Sequence, residues 1–171
     1  ISDAHETLCD ATAKSHYVND LKGVSSNKST SLEKILQAET AFQKGMVFFR
    51  VKKYSEAEKS FTEALETNPN EAEYIMYQAW SSYKSKANAT DATANTRQKL
   101  MRAIEMNPKL GLAQLYLGYV CKDEGNEKEA QRRFERAIQY DPNCTDALRD
   151  LRLMNMRREK EKKGLFGKMF S

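Results

Sequence analysis

An internal repeat constrains this chain more than any other feature. Residues 111–143 (GLAQLYLGYVCKDEGNEKEAQRRFERAIQYDPN) share a skeleton with residues 38–70 (AETAFQKGMVFFRVKKYSEAEKSFTEALETNPN). Gly118, Ala130, Phe134, Ala137 and Pro142 stand at the same intervals as Gly45, Ala57, Phe61, Ala64 and Pro69. Small residues let two helices approach, and an aromatic ring wedges between them. A proline, which lacks the N–H and clashes with the preceding turn, stops the second helix. A helix-turn-helix of this period cannot bury its apolar face alone, so successive units must stack into a solenoid.

The two matched sets resemble the tetratricopeptide repeat (TPR) family, and five positions agree twice in register. A third copy lies between them, with Ala103 and Pro108 in place, Leu100 at the phenylalanine position and Ala79 at the glycine position. Pro108 to Pro142 is 34 residues, the family's repeat length, whereas Pro69 to Pro108 is 39, so the middle repeat holds five extra residues. Its helices read as residues 71–84 and 96–107, with the interruption SKANATDATAN (85–95) expected as an extended, mobile loop. After Pro142, Ala147, Leu148, Leu151 and Met154 share one face of a helix that would cover the last repeat. The expected fold is all-α: a right-handed superhelix of three helix pairs (about 38–71, 72–110 and 111–144), a cap at 145–162 and an apolar tail at 163–171.

The N-terminal residues 1–21 read ISDAHETLCDATAKSHYVNDL and resemble the end of a J domain, the module that stimulates Hsp70-type chaperones. Ile1, Ala4, Glu6, Leu8 and Asp10 match that family's last long helix, with His5 where it has tyrosine. Lys14 and Tyr17 resemble the family's next basic residue and tyrosine, and Val18 stands where the family has an aspartate. The His-Pro-Asp tripeptide that carries J-domain activity is not among these residues. Residues 22–31 (KGVSSNKSTS) are polar and without period, the composition of a linker. Thr30 with Glu33 forms a capping-box pattern, so a helix is expected to start at Ser31 or Leu32.

Composition narrows the function classes. Hydrophobic residues make up 40% and prolines number three, which suits a helical globular chain. The sequence has no glycine-rich phosphate loop, no nucleophile elbow and no His-Glu-x-x-His pair, so catalysis is not expected and no cofactor or metal is implied. Cys9, Cys121 and Cys144 form no metal-ligand spacing and read as small apolar packing residues of a cytoplasmic chain. No run of apolar residues is long enough to cross a bilayer. Residues 157–171 hold six basic and two acidic residues, a net of +4 that equals the net charge of the whole chain. The balanced remainder offers no extended basic face for nucleic acid. The basic run reads as a solvated helix end with an apolar tip, GLFGKMF, that is either free or bound to a partner, and contact of this tail with a membrane surface is the alternative.

The TPR resemblance implies where a partner would sit. In that family the first helix of each repeat lines a concave surface, and the residues flanking the glycine face the groove. Transferred from Gly45, Ala79 and Gly118, the candidate groove set is Phe42, Met46, Phe49, Met76, Trp80, Tyr83, Leu115, Tyr119 and Lys122. All but Lys122 are apolar or aromatic, the side chains an interface uses to bury a partner helix. The family's chaperone-binding members hold a terminal carboxylate with lysines, asparagines and an arginine. The corresponding positions here are Phe42, Met46, Tyr77, Leu112 and Tyr116, so no carboxylate clamp is expected. The resemblance therefore implies a scaffold for another protein, such as an amphipathic helix or a component of a bacterial polarity or motility assembly. The alternative is the client- or Hsp70-linked arm of a J-domain co-chaperone. An open strip of this size would be costly, so a cover is expected: residues 1–21 folded back over it as the first choice, with the apolar tip 165–170 or a second copy of the chain as the alternatives.

Overall fold

The computed structural model describes the backbone of residues 11–85 and 90–169 and the side chains of residues 31–85 and 93–160. Seven helices follow one another among these residues: α1 (Ala11–Arg50), α2 (Tyr54–Thr67), α3 (Ala72–Ser85), α4 (Thr90–Met106), α5 (Gly111–Asp123), α6 (Glu127–Tyr140) and α7 (Thr145–Met169). Each packs against the next in chain order, the arrangement of a solenoid. Pairs α1–α2, α3–α4 and α5–α6 correspond to the three repeats, and α7 closes the array.

The second helices of the outer pairs bury a single stripe. In α2 it is Ala57, Ser60, Phe61 and Ala64, and in α6 Ala130, Phe134 and Ala137. That three-and-four spacing is the signature of a helix with one face on a core. The first helices behave differently. In α3 every residue from Tyr74 to Ser81 is buried, and in α5 every residue from Ala113 to Gly118. These helices lie between neighbours on several sides, so their sequences show little periodicity.

The contact that sets the helix spacing is glycine against phenylalanine. A Cβ built on Gly45 would stand 2.6 Å from Cε1 of Phe61, and one on Gly118 would stand 2.5 Å from Cε1 of Phe134. Both rings are fully buried, so neither has free space to swing into. The middle pair solves the same problem with Ala79 and Leu100, both at 0% exposure. A branched aliphatic side chain at the second position accompanies the extra methyl at the first.

The turn inside each outer repeat is built identically. The N–H groups of Lys52 and Lys53 donate to the carbonyls of Phe49 and Phe48, each at 3.0 Å, and those of Gly125 and Asn126 donate to Lys122 and Cys121 at 3.0 and 2.8 Å. This paired hydrogen-bond pattern needs one left-handed residue past the helix end. Gly125 takes it at φ +78°, while the first repeat places Lys52 there at φ 60°. Asn126 then caps α6, its Oδ1 accepting from the Glu129 N–H at 3.2 Å. The proline turns that end the second and third repeats are tied by side chains as well. Oδ1 of Asn107 accepts from the Lys109 N–H and Oδ1 of Asp141 from the Asn143 N–H, at 3.2 and 3.0 Å.

Three expectations need correction. The middle repeat does not hold an extended loop over 85–95, because α3 reaches Ser85 and α4 already begins at Thr90. Relative to the outer repeats the extra length mostly extends α4, which has 17 residues against 14 in both α2 and α6. Residues 90–95 contain no proline or glycine. The helix they open is fastened by Thr96, 2% exposed, whose Oγ1 donates to the Ala79 carbonyl at 3.4 Å.

The second correction concerns 22–31, where no linker interrupts the chain: α1 is one helix of 40 residues from Ala11. Only Gly23 in that stretch disfavours helix strongly, and extending a helix already nucleated costs little per residue. Residues 11–21 therefore continue the line of α1, and they do not fold back over the stack. The first ten residues, which carry most of the J-domain resemblance, lie outside the described residues. The third difference is at the other end, where the cap helix runs past 162 to Met169.

These contacts yield two stability predictions. Gly118→Ala should destabilise by about 1–3 kcal/mol through overpacking. Combined with Phe134→Leu it should cost less than the sum of the two single changes, because the pair then resembles Ala79 with Leu100; urea melts of the four proteins measure this coupling. Lys52→Gly should stabilise by about 0.5–1 kcal/mol by relieving a left-handed side-chain residue, read as a higher melting temperature.

Candidate partner-binding surface

The first helices α1, α3 and α5 are joined by a ladder of aromatic rings. Phe42 of α1 stacks on Tyr74 of α3 with centroids 4.6 Å apart, and Phe49 meets Tyr77 edge-on at 5.2 Å. Trp80 lies flat on Tyr116 of α5, with centroids 4.3 Å apart and planes within 4°. Tyr83 and Tyr119 flank that stack at 5.3 and 5.8 Å from the indole. Lys84 places its ammonium 5.5 Å from the same ring, where the face of the indole attracts a cation.

Each junction between successive first helices is closed by a phenol and a carboxylate. The Tyr74 hydroxyl donates to Glu39 across α1–α3 at 2.9 Å, and the Tyr83 hydroxyl donates to Asp123 across α3–α5. Across α5–α7 the Tyr119 hydroxyl donates to Asp150 at 3.4 Å, and the Lys122 ammonium donates to the other oxygen of the same carboxylate. Arg149 adds a contact to Asp150 at 3.4 Å. Asp150 is only 4% exposed, and a carboxylate buried to that degree is tolerable only with such partners. These bonds pin the cap helix to the third repeat.

The electrostatics of the strip arise from the same geometry. Burial and the bond to Glu39 push the Tyr74 phenol up to about 12, and burial with nearby Asp150 does the same for Tyr119. Burial raises Tyr83 and Tyr116 further. Burial also raises Glu73, with help from the neighbouring charges of Glu71 and Glu39. Cys121 is buried and its thiol is pushed up by that burial, the setting of a packing residue rather than a nucleophile. Cys144 is buried as well. Among the described residues no group of His, Cys, Asp and Glu could hold a metal ion, and no helix is long and apolar enough to cross a membrane.

The structure divides the nine residues expected in the groove. Met46, Phe49, Tyr83, Tyr119 and Lys122 are half-buried along α1, α3 and α5, each with part of its surface open. Phe42 and Trp80 are buried at 6% and 8% exposure, mostly by other rings. Met76 and Leu115 need correction: at 0% and 3% exposure they lie in the core and offer a partner nothing. Register from a central small residue could not separate them, because nearly the whole circumference of α3 and α5 is covered. Of the five positions compared with a carboxylate clamp, Phe42 is buried, Tyr77 lies between Phe49 and Phe61 and Tyr116 under Trp80, while Met46 is half-buried and Leu112 is exposed. Sequence reading missed Glu39, Asp123 and Asp150. Their tyrosine partners lie 31 to 40 residues away, and no local pattern marks such pairs.

Comparison with known proteins agrees with this architecture. The tetratricopeptide repeat model matches residues 38–71 and again residues 113–144. Solved TPR domains superpose on most of the chain. The first TPR of Spaghetti (RPAP3), bound to the HSP90 peptide SRMEEVD, has a TM-score of 0.62 at 21% identity, covering 73% of this chain and 95% of that one. The TPR domain of Arabidopsis OM64 gives 0.62 at 21% identity, covering 70% and 94%. That of Aspergillus fumigatus Sgt2 gives 0.62 at 22%, covering 75% and 83%. No curated protein matches this chain. The fold is thus the all-α TPR helical repeat, with two repeats matched by the family and a third helix pair, α3–α4, between them.

The tyrosines yield a pH prediction. Folding holds Tyr74 and Tyr119 protonated to about 12, above the value near 10 of an unfolded chain. Their contribution to stability is therefore complete below about pH 10 and is lost as pH rises toward 12. The melting temperature should fall across that window, in step with the growth of tyrosinate absorbance.

Proposed function

We propose that this protein is a non-catalytic scaffold that holds a segment of a partner protein against the aromatic strip of α1, α3 and α5. The observation that carries the reading is the open part of that strip: Met46, Phe49, Tyr83 and Tyr119, all half-buried and rigidly backed by the ring ladder. Aromatic and methionine side chains held in place lose little entropy on binding, which is the character of interface anchors. That a structurally similar TPR domain is bound to a peptide supports a protein ligand. The present strip has no cluster of basic groups or asparagines at the clamp positions, so the ligand is an internal apolar segment such as an amphipathic helix, with no requirement for a free terminal carboxylate. The reading as an arm of a J-domain co-chaperone has only the resemblance of residues 1–21 behind it, and no feature of the repeats favours it.

The test compares wild type with the pair Met46→Ala, Phe49→Ala as baits in the source cell, with melting curves of both to exclude loss of fold. A partner retained by wild type and lost by the variant at preserved stability is the expected result. A partner set that is the same for both would remove the strip from recognition. Titration with the peptide SRMEEVD should give no saturable binding, and tight binding would overturn the assignment to an internal segment.

A further inference from the structure

The basic end of α7 has no role in the aromatic strip. The helix is unbroken from Thr145 to Met169, and among its described side chains those seated in the stack belong to its first part. Ala147 is fully buried, Leu151 and Met154 are half-buried, and every side chain from Asn155 to Lys160 is exposed. Arg158 donates to Gln131, one turn into α6, at 3.0 Å. Little of α6 remains beyond that point, while the backbone of α7 continues for eleven residues to Met169, roughly 16 Å at 1.5 Å per residue.

Composition changes at the same place. Residues 157–171 carry the equivalent of the entire net charge of +4, and the other 156 residues balance. Leu165, Phe166 and Met169 then follow. At about 100° per residue these three fall within one side of the helix, Lys162 and Arg158 lie on that side one and two turns earlier, and Gly164 and Gly167 fall opposite. Cationic turns followed by a short apolar patch make an amphipathic element for the boundary between headgroups and acyl chains. The patch is far too short to span a bilayer. Nucleic acid would use the cations and leave the apolar residues without a role.

We propose that the projecting end of α7 docks on an anionic lipid surface, with Leu165, Phe166 and Met169 entering the interface and Arg157, Lys162, Lys163 and Lys168 meeting the headgroups. Neither signal holds a protein on a membrane alone, and together they give reversible attachment that leaves the aromatic strip free. The inference does not depend on the proposed scaffold role.

Co-sedimentation of the full chain with phosphatidylcholine vesicles, with and without about one-third phosphatidylglycerol, tests it. The chain should pellet with the anionic vesicles, stay in solution with the neutral ones, and detach as salt shortens the screening length. Leu165→Ser with Phe166→Ser should weaken binding at least about tenfold. Lys162→Glu with Lys163→Glu should abolish it. Both pairs should leave the melting temperature unchanged. Absence of binding to anionic vesicles at low salt would overturn the proposal. So would undiminished binding by the Leu165→Ser, Phe166→Ser variant, or retention of a short RNA by a chain that ignores vesicles.

Discussion

Everything in this array depends on how closely the two helices of a repeat approach. Gly45 against Phe61 and Gly118 against Phe134 leave no room for even one methyl group, and interiors at crystal-like density have no slack to absorb it. That distance brings Ala57, Ala64, Ala130 and Ala137 to complete burial. Ala79 with Leu100 shows that the constraint is on their combined volume and not on glycine itself.

A second set of contacts links one repeat to the next. The first helices reach across to each other with long aromatic side chains, and each junction ends in one hydroxyl–carboxylate bond. The ladder Phe42–Tyr74, Phe49–Tyr77, Trp80–Tyr116 therefore has two consequences. It joins the first helices of neighbouring repeats ring to ring, and it stiffens the strip whose outer residues remain open. A surface backed in this way is pre-organised, so little ordering is left to be done when a partner binds. The same ladder reduces the apolar area that would otherwise face water. Ring covers ring, and the strip needs no lid drawn from the N-terminal helix.

The two ends of the array differ from its middle. At the start, α1 extends well beyond the residues that pack on α2, and at the finish α7 extends beyond α6. Solenoid termini need a polar outer side. The cap meets this need with Arg149, Arg152 and Arg157 outward and Asp150 inward, the latter satisfied by Lys122, Tyr119 and Arg149. A carboxylate in that position fixes the seating of α7 more sharply than an apolar residue would, since only one placement satisfies it.

The repeat register was fully legible in the chain, because glycine, alanine, phenylalanine and proline at fixed intervals encode close approach, packing and termination, all of them local to about one repeat length. From it came the helix pairs, the cap and the buried set Ala57, Phe61, Ala64, Ala130, Phe134 and Ala137. Local composition misled at 22–31 and 85–95, where polar residues without period proved compatible with helix once a neighbouring turn had nucleated it. The fate of the large apolar residues on the first helices was legible only in part. Met46 and Phe49 keep an open side, while Met76, one repeat along on an equally apolar helix, has none. Only the stacking of repeats decides this, since a first helix with neighbours on several sides loses the periodicity that tells inside from outside, and the carboxylates that receive Tyr74, Tyr83 and Tyr119 come from a neighbouring repeat or from the cap helix.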